Sequence, residues 1–293
     1  MSAPVELERT FGDALTDAFD STGHLCVGID PHSFLLAEWG LPDTAAGVLE
    51  FGRRVVDAAH GNAAVVKPQV AFFEKFGSAG FAALETVLEL ARHAGLLVIG
   101  DAKRGDVGTT VEAYAQAWLT RGTSLEVDAM TISAFQGLGS ITTARELALG
   151  NSAGLFVLAA TSNPESVDPQ TALISTGPHA GSRVTEAIVA GVGEWNSLET
   201  SGTASTLGSV GVVIGATVDL SLYGVEPESL AFTPILAPGF GHQGAQYSQI
   251  RQVFGAAASN VVVSASRSIL DAGPAGLAAR IRLHSAQIAE VYS

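Results

Sequence analysis

The stretch LLVIGDAKRGD, from Leu96 to Asp106, joins a short apolar run to a burst of alternating charge. Its first half, Leu96–Gly100, has no polar alternation, as expected of a parallel strand buried on both faces. Working outward, seven more runs share this character: His24–Ile29, Ala64–Val66, Val127–Ile132, Gly154–Ala160, Val210–Gly215, Phe232–Ala237 and Asn260–Ser264. Segments of helical period lie between most of them. Phe81, Leu84, Val87, Leu88 and Ala91 recur at three- and four-residue steps, and so do Val111, Tyr114, Ala115, Trp118 and Leu119. Similar stripes fill Val48–Ala59, Ile141–Leu149, Val184–Trp195 and Tyr247–Ala257; Phe11, Leu15 and Phe19 open the pattern and Leu277, Ile281 and Ile288 close it. Asp219–Leu230 is too short and Pro-interrupted for a long helix. Strands alternating with helices leave a closed (β/α)8 barrel or an open doubly wound sheet. The strand count and the 293-residue length favour the barrel, an α/β TIM barrel in one domain over 1–293. That domain carries an N-terminal helix and a long segment, Ser162–Gly181, after strand 5; a second irregular stretch is expected over Ser197–Ser209. Loops of this length are usually functional or mobile.

Fifteen Lys and Arg against 29 Asp and Glu give a net charge of −14, which argues against nucleic acid as a partner. One small anionic ligand held by a few placed cations stays compatible with it. No run of 18 apolar residues suggests a membrane span. The N-terminus lacks the basic start and apolar run of a secretory signal. The single cysteine, Cys26, cannot form an intrachain disulfide. Together these point to a cytoplasmic protein. Of the 15 cations only three are lysines: Lys67, Lys75 and Lys103.

In a barrel, chemistry sits at the C-terminal ends of the strands. Those ends offer Asp30, Lys67, Asp101 with Lys103, Thr131–Ser133, Thr161-Ser162, Gly239–Gly244 and Arg267. Asp101 and Lys103, two apart on a strand, point to one side; Asp106 lies beyond, able to fold back or to reach a neighbouring subunit. An ammonium among carboxylates can donate a proton or stabilise a developing anion, although a structural ion-pair cluster explains the same charges. Lys75 reads as solvated surface. Gly239-Phe-Gly-His-Gln-Gly244 matches GxGxxG, but after the seventh strand and without the acidic residue about 20 positions on that a dinucleotide site requires. Followed by Arg267, it suits a barrel phosphate site better. Asp30-Pro-His32 is a ligand contact or a plain turn. The seven histidines show no metal-binding spacing.

The run DAKRGD with Val107-Gly-Thr-Thr110, VGIDPH near the start and LAPGFGHQG late in the chain resemble the orotidine 5′-phosphate decarboxylase family, in its longer bacterial branch. The resemblance spans Asp30 to Arg267. It implies cofactor-independent decarboxylation of orotidine 5′-phosphate to uridine 5′-phosphate (UMP) in de novo pyrimidine biosynthesis, with neither metal nor organic cofactor. Carried over by position, it makes Lys103 the proton donor between Asp101 and Asp106, with Lys67 completing the charge chain. Asp30 and Lys67 would meet the ribose hydroxyls, Ser162 the pyrimidine ring, and Gln243 and Arg267 the 5′-phosphate. Asp106 and Thr110 would enter the partner's site, making the working unit a homodimer with shared active sites. The departures are Arg104-Gly105 inside the motif and the long segment after strand 5, part of which would close over the base.

Two rivals remain at this stage. One is a magnesium-dependent keto-sugar-phosphate decarboxylase or hexulose-phosphate synthase on the same scaffold; those relatives carry an acidic residue after strand 2, where this chain has Lys67. The other is a catalytically silent nucleotide-binding barrel.

Overall fold

The computed structural model describes residues 9–293; the reading of the N-terminus as free of a secretory signal falls largely on residues 1–8, outside the described residues. Eight strands, β1 (Leu25–Ile29), β2 (Val65–Pro68), β3 (Leu97–Arg104), β4 (Ala129–Ile132), β5 (Gly154–Ala160), β6 (Val210–Ile214), β7 (Ile235–Pro238) and β8 (Val261–Ala265), run parallel in sequence order. The sheet closes where β8 pairs with β1, so the closed barrel is the architecture and the open sheet is not. Two strands run further than their apolar stretches suggested by more than a single residue. β2 continues through Lys67, and β3 continues through Asp101 to Arg104, which pairs with Ile132. Polar side chains can stay on the ladder there because they satisfy one another inside the barrel.

The helical stripes fall on helices, with three differences. Helix Val184–Thr200 runs into the stretch expected to be irregular from Ser197. Of the stripe Tyr247–Ala257 only Ile250–Phe254 is α-helical, between two 3-10 turns. The segment after β5 is not structureless: it holds a 3-10 turn, Pro164–Ser166, a short helix, Val167–Thr171, and a bridge between Leu173 and Arg183. As expected, Asp219–Leu230 forms no long helix, only the turns Leu220–Tyr223 and Pro227–Leu230.

Inside the barrel each strand contributes one residue to an apolar layer: Cys26, Val65, Ile99, Ala129, Phe156, Val213, Leu236 and Val262. Their sequence neighbours, such as Val27, Val66, Val98 and Val263, face the surrounding helices in a separate, larger cluster. Period-two alternation therefore persists within runs that are apolar throughout, because both faces are buried. Helix Phe11–Thr22 closes the lower end, with Phe11 and Leu15 joining the inner layer. The Phe11 ring meets Phe156 edge-on at 6.0 Å between centroids. Gly154 is what lets it in: a Cβ there would lie 2.3 Å from Phe11 Cδ1. Thr10 and Asp13 cap this helix reciprocally, and Asp13 accepts a hydrogen bond from Ser205 at 2.6 Å, tying the helix to the loop before β6.

Phe11 is 1% exposed and fills the barrel's base. Phe11→Ala is expected to cost about 3–5 kcal/mol, the usual range for an emptied aromatic core position; urea unfolding of the two proteins measures it.

Candidate active site

Counting two residues up each strand from the inner apolar layer turns its chemistry over. Above Val65 stands Lys67, above Ile99 Asp101, above Ala129 Thr131, above Phe156 Leu158, above Leu236 Pro238 and above Val262 Ser264. Two further up come Asp30, Gln69, Lys103, Phe240 and Ser266. These side chains line one cavity of about 470 Å³ at the C-terminal end of the barrel, completed by Thr161–Asn163, Gln170 and the loop after β7.

Asp101 is the hub. Its Oδ2 accepts a hydrogen bond from Lys67 Nζ at 2.6 Å, and its Oδ1 accepts from Thr131 Oγ1 at 2.9 Å and from Lys103 Nζ. Lys67 and Asp101 are both about 6% exposed, whereas nearly half of the Lys103 side chain faces open space. Burial would favour the neutral acid at Asp101, but the charges of Lys67 and then Lys103, with their hydrogen bonds, outweigh it and hold the carboxyl well below the usual carboxylate range. Burial would likewise favour neutral Lys67; the carboxylates of Asp101 and Asp30 reverse this and keep its ammonium above the usual lysine range. Lys103 leaves a strand whose register shifts between Gly100 and Arg104, and its own φ is +48°. A left-handed non-glycine residue stores about 1–3 kcal/mol of strain and persists only where its surroundings enforce it. Here the Lys103 N–H donates to Thr131 Oγ1 at 2.9 Å, so one threonine holds both the bulge and the carboxylate.

Across the cavity lies the glycine loop. Gly239 and Gly241 have φ of +115° and +74°, backbone that favours glycine. Gln243 accepts a hydrogen bond from Ser162 Oγ at 3.0 Å, joining this loop to the end of β5. Arg267 begins the short helix Arg267–Leu270 and lines the cavity; its guanidinium has no hydrogen-bond or ion-pair partner among the described residues. Asp30 Oδ1 and Ser266 Oγ, beside it, are buried without partners among the described residues. A cationic fork, a glycine loop and unpartnered polar atoms are groups able to hydrogen-bond an anion and hydroxyl groups.

Of the nine site residues expected from the sequence, seven meet in this cavity: Asp30, Lys67, Asp101, Lys103, Ser162, Gln243 and Arg267. Asp106 and Thr110 do not. Asp106 accepts a hydrogen bond from the Val107 N–H at 2.8 Å, and Thr110 lies exposed in the first turn of helix Gly108–Leu119. Lys75 is half-exposed and paired with Asp43 at 2.8 Å, outside the cavity. The sequence argument passed over Gln69, Gln170, Ser264 and Ser266 and gave Thr131 no role. Projecting every strand at period two, rather than stopping at its last apolar residue, would have found all of them but Gln170.

A sequence profile of the orotidine 5′-phosphate decarboxylase / HUMPS family matches residues 23–281. The chain belongs to that family. Similar proteins include the orotidine 5′-phosphate decarboxylase of Streptomyces coelicolor, 48% identical over 90% of this chain and 91% of that one, and its counterpart in Corynebacterium glutamicum, 43% identical over 90% and 92%. Among solved structures, a Streptomyces avermitilis protein assigned as an orotidine 5′-phosphate decarboxylase superposes with a TM-score of 0.89 at 44% identity, covering 100% of both chains. The Leishmania donovani OMP decarboxylase follows the fold at a TM-score of 0.75 and 30% identity, over 96% of this chain and 98% of its own. The family's barrel and the layered cavity described above thus coincide in one chain.

The buried pair gives a stability test with a defined sign. A carboxyl whose folded value is depressed contributes stability that is present above its unfolded value, about 4, and drains away as pH falls below it. Asp101→Asn leaves Lys67 buried without its main counter-charge and is expected to lose about 3–5 kcal/mol at neutral pH. Chemical unfolding at several pH values should show that deficit shrinking as pH falls below about 4, where the unfolded parent chain takes up a proton that the folded protein still keeps off Asp101.

Proposed function

We propose that the cavity binds orotidine 5′-phosphate and releases CO₂ and UMP, as a step of de novo pyrimidine biosynthesis in the cytoplasm. The observation that carries this reading is the Lys67–Asp101–Lys103 charge chain in the cavity wall, in a barrel 48% identical to a named orotidine 5′-phosphate decarboxylase. Loss of CO₂ from C6 leaves an electron pair in the ring plane, outside the π-system. The protein must then provide a cation beside that carbon and a proton for it. Lys103 does both: its ammonium is the more open of the two lysines and is aimed by Asp101. Lys67, buried and bound to the other oxygen of Asp101, fixes that carboxylate in place; with Asp30 it meets the ribose hydroxyls. Gln243, the glycine loop and Arg267 grip the phosphate, and this remote binding energy orients the ring against Lys103. Ser162 contacts the pyrimidine.

An ammonium at position 67, hydrogen-bonded to Asp101, also speaks against the magnesium-dependent sugar-phosphate reading. It stands where a divalent cation would need an acidic ligand and would repel the cation itself.

The working unit is a homodimer. Asp106 and Thr110 share their stretch of chain with two exposed apolar side chains, Val107 and Tyr114, and a third, Phe135, which is 90% exposed, follows β4. Gly105 packs on Ser133, bringing the Asp106 and Phe135 segments together. A large aromatic side chain this exposed on a rim with other apolar groups marks a protein contact.

Turnover is followed as the loss of ultraviolet absorbance from the conjugated carboxylate, in the presence of a chelator. Lys103→Ala should lower it by roughly 10²–10⁴-fold or more, the range for a lost general acid, while UMP still binds; unchanged turnover removes Lys103 from its role. In a verified heterodimer of Lys103→Ala and Asp106→Ala chains, both changes fall in one site and the other is intact. Activity should therefore return in the mixture; complete failure contradicts a shared site.

A further inference from the structure

We propose that Gln170 is a positioning residue that fixes the turn Thr161–Asn163 for recognition of the pyrimidine ring, and that the long segment after β5 exists in part to deliver it. Gln170 sits in the short helix Val167–Thr171, well beyond the strand, yet its side chain returns to the strand end and lines the cavity. Its Oε1 accepts the Thr161 N–H at 2.9 Å, and its Nε2 donates to Thr161 Oγ1 at 3.0 Å. Both halves of one amide thus grip one residue. Two such bonds fix orientation, where a single bond would leave the threonine free to rotate.

The grip propagates. Thr161 Oγ1 donates to Asn163 Oδ1 at 2.8 Å, and Ser166 Oγ lies 2.8 Å from the Thr161 carbonyl and 2.7 Å from that of Asn163. With the N–H, hydroxyl and carbonyl of Thr161 all engaged, the orientation of the next residue, Ser162, is set. Ser162 is the one residue of the turn whose side chain reaches the phosphate loop, at Gln243. Gln170 is itself held from behind. Its carbonyl accepts from Thr185 Oγ1 at 3.0 Å, and the same fully buried hydroxyl lies 2.9 Å from the Ala159 carbonyl on β5. A continuous path therefore runs from helix Val184–Thr200 through Gln170 to the wall assigned to the base. An amide offers two N–H groups and two oxygen lone pairs, and Gln170 uses one of each here. The others have no partner among the described residues.

This inference rests on the orotidylate reading, so its test uses two ligands: UMP, which carries the base, and ribose 5-phosphate, which lacks it. Calorimetric affinities and steady-state kinetics are compared for the parent protein, Gln170→Ala and Gln170→Glu. Gln170→Ala should weaken UMP by about tenfold, as expected for the loss of two hydrogen bonds, and raise KM with a smaller effect on kcat. Ribose 5-phosphate should stay within about twofold, since no bond to the sugar or phosphate is lost. Gln170→Glu keeps an acceptor for the Thr161 N–H and the side-chain size; it should fall between the two, and it carries the test if the alanine variant does not fold. Equal UMP affinity in the variants overturns the inference. So does an equal loss for both ligands together with a lowered Tm, which marks a general structural role. If the parent protein gains no affinity from the uracil ring, the orotidylate reading fails and this inference with it; if it does gain and the variants keep that gain, the inference alone fails.

Discussion

Asp101 lies inside a barrel, where a lone carboxylate would be driven to its neutral form, and it stays charged because Lys67, Lys103 and Thr131 share its two oxygens. Much of the surrounding architecture serves this arrangement. Lys67 must itself be buried to reach Oδ2, and Asp30 helps keep it ionised. Lys103 must reach Oδ1 while keeping its amine open to the cavity, and the bulged end of β3 provides that path. Thr131 holds the bulge and the carboxylate with one hydroxyl. Two ammoniums balance Asp101 and Asp30, so Arg267 is the positive charge in surplus among the charged residues that line the cavity. In the proposed binding mode that surplus draws an anionic substrate towards the glycine loop, with the locked constellation at its other end.

This also explains how a protein of net charge −14 serves anionic chemistry. A cation beside a substrate in a dry, low-dielectric wall is worth far more than one on a solvated surface. The proposed function asks for three placed cations, Lys67, Lys103 and Arg267, which line the cavity whatever the net charge of the rest of the chain.

The architecture was legible because parallel strands buried on both faces leave apolar runs, and eight of them with helices between admit few arrangements. The charged site was legible for a related reason: Lys67, Asp101 and Lys103 are conspicuous against strands that are otherwise apolar. Gln69, Ser264 and Ser266 were not, since single polar residues at a strand end look like the start of a loop. Only the register of the inner layer shows that they point inward. Gln170 was further out of reach. Nothing in the residues 162–181 marks one glutamine as turning back to the strand it left, because its position depends on the packing of Thr185 at the start of a later helix. The length of β3 was missed because its last residues are held by charge pairing instead of apolar burial.

The apolar layer beneath the site, sealed by Phe11 and Leu15, makes the reaction chamber a room with one door. Substrate, carbon dioxide and nucleotide product must all pass the same rim, between the glycine loop and the segment after β5. With the phosphate held as proposed, the small, uncharged gas can slip out first, whereas the nucleotide leaves only when that hold is released. On that proposal the order of departure follows from the plumbing: gas first, nucleotide last.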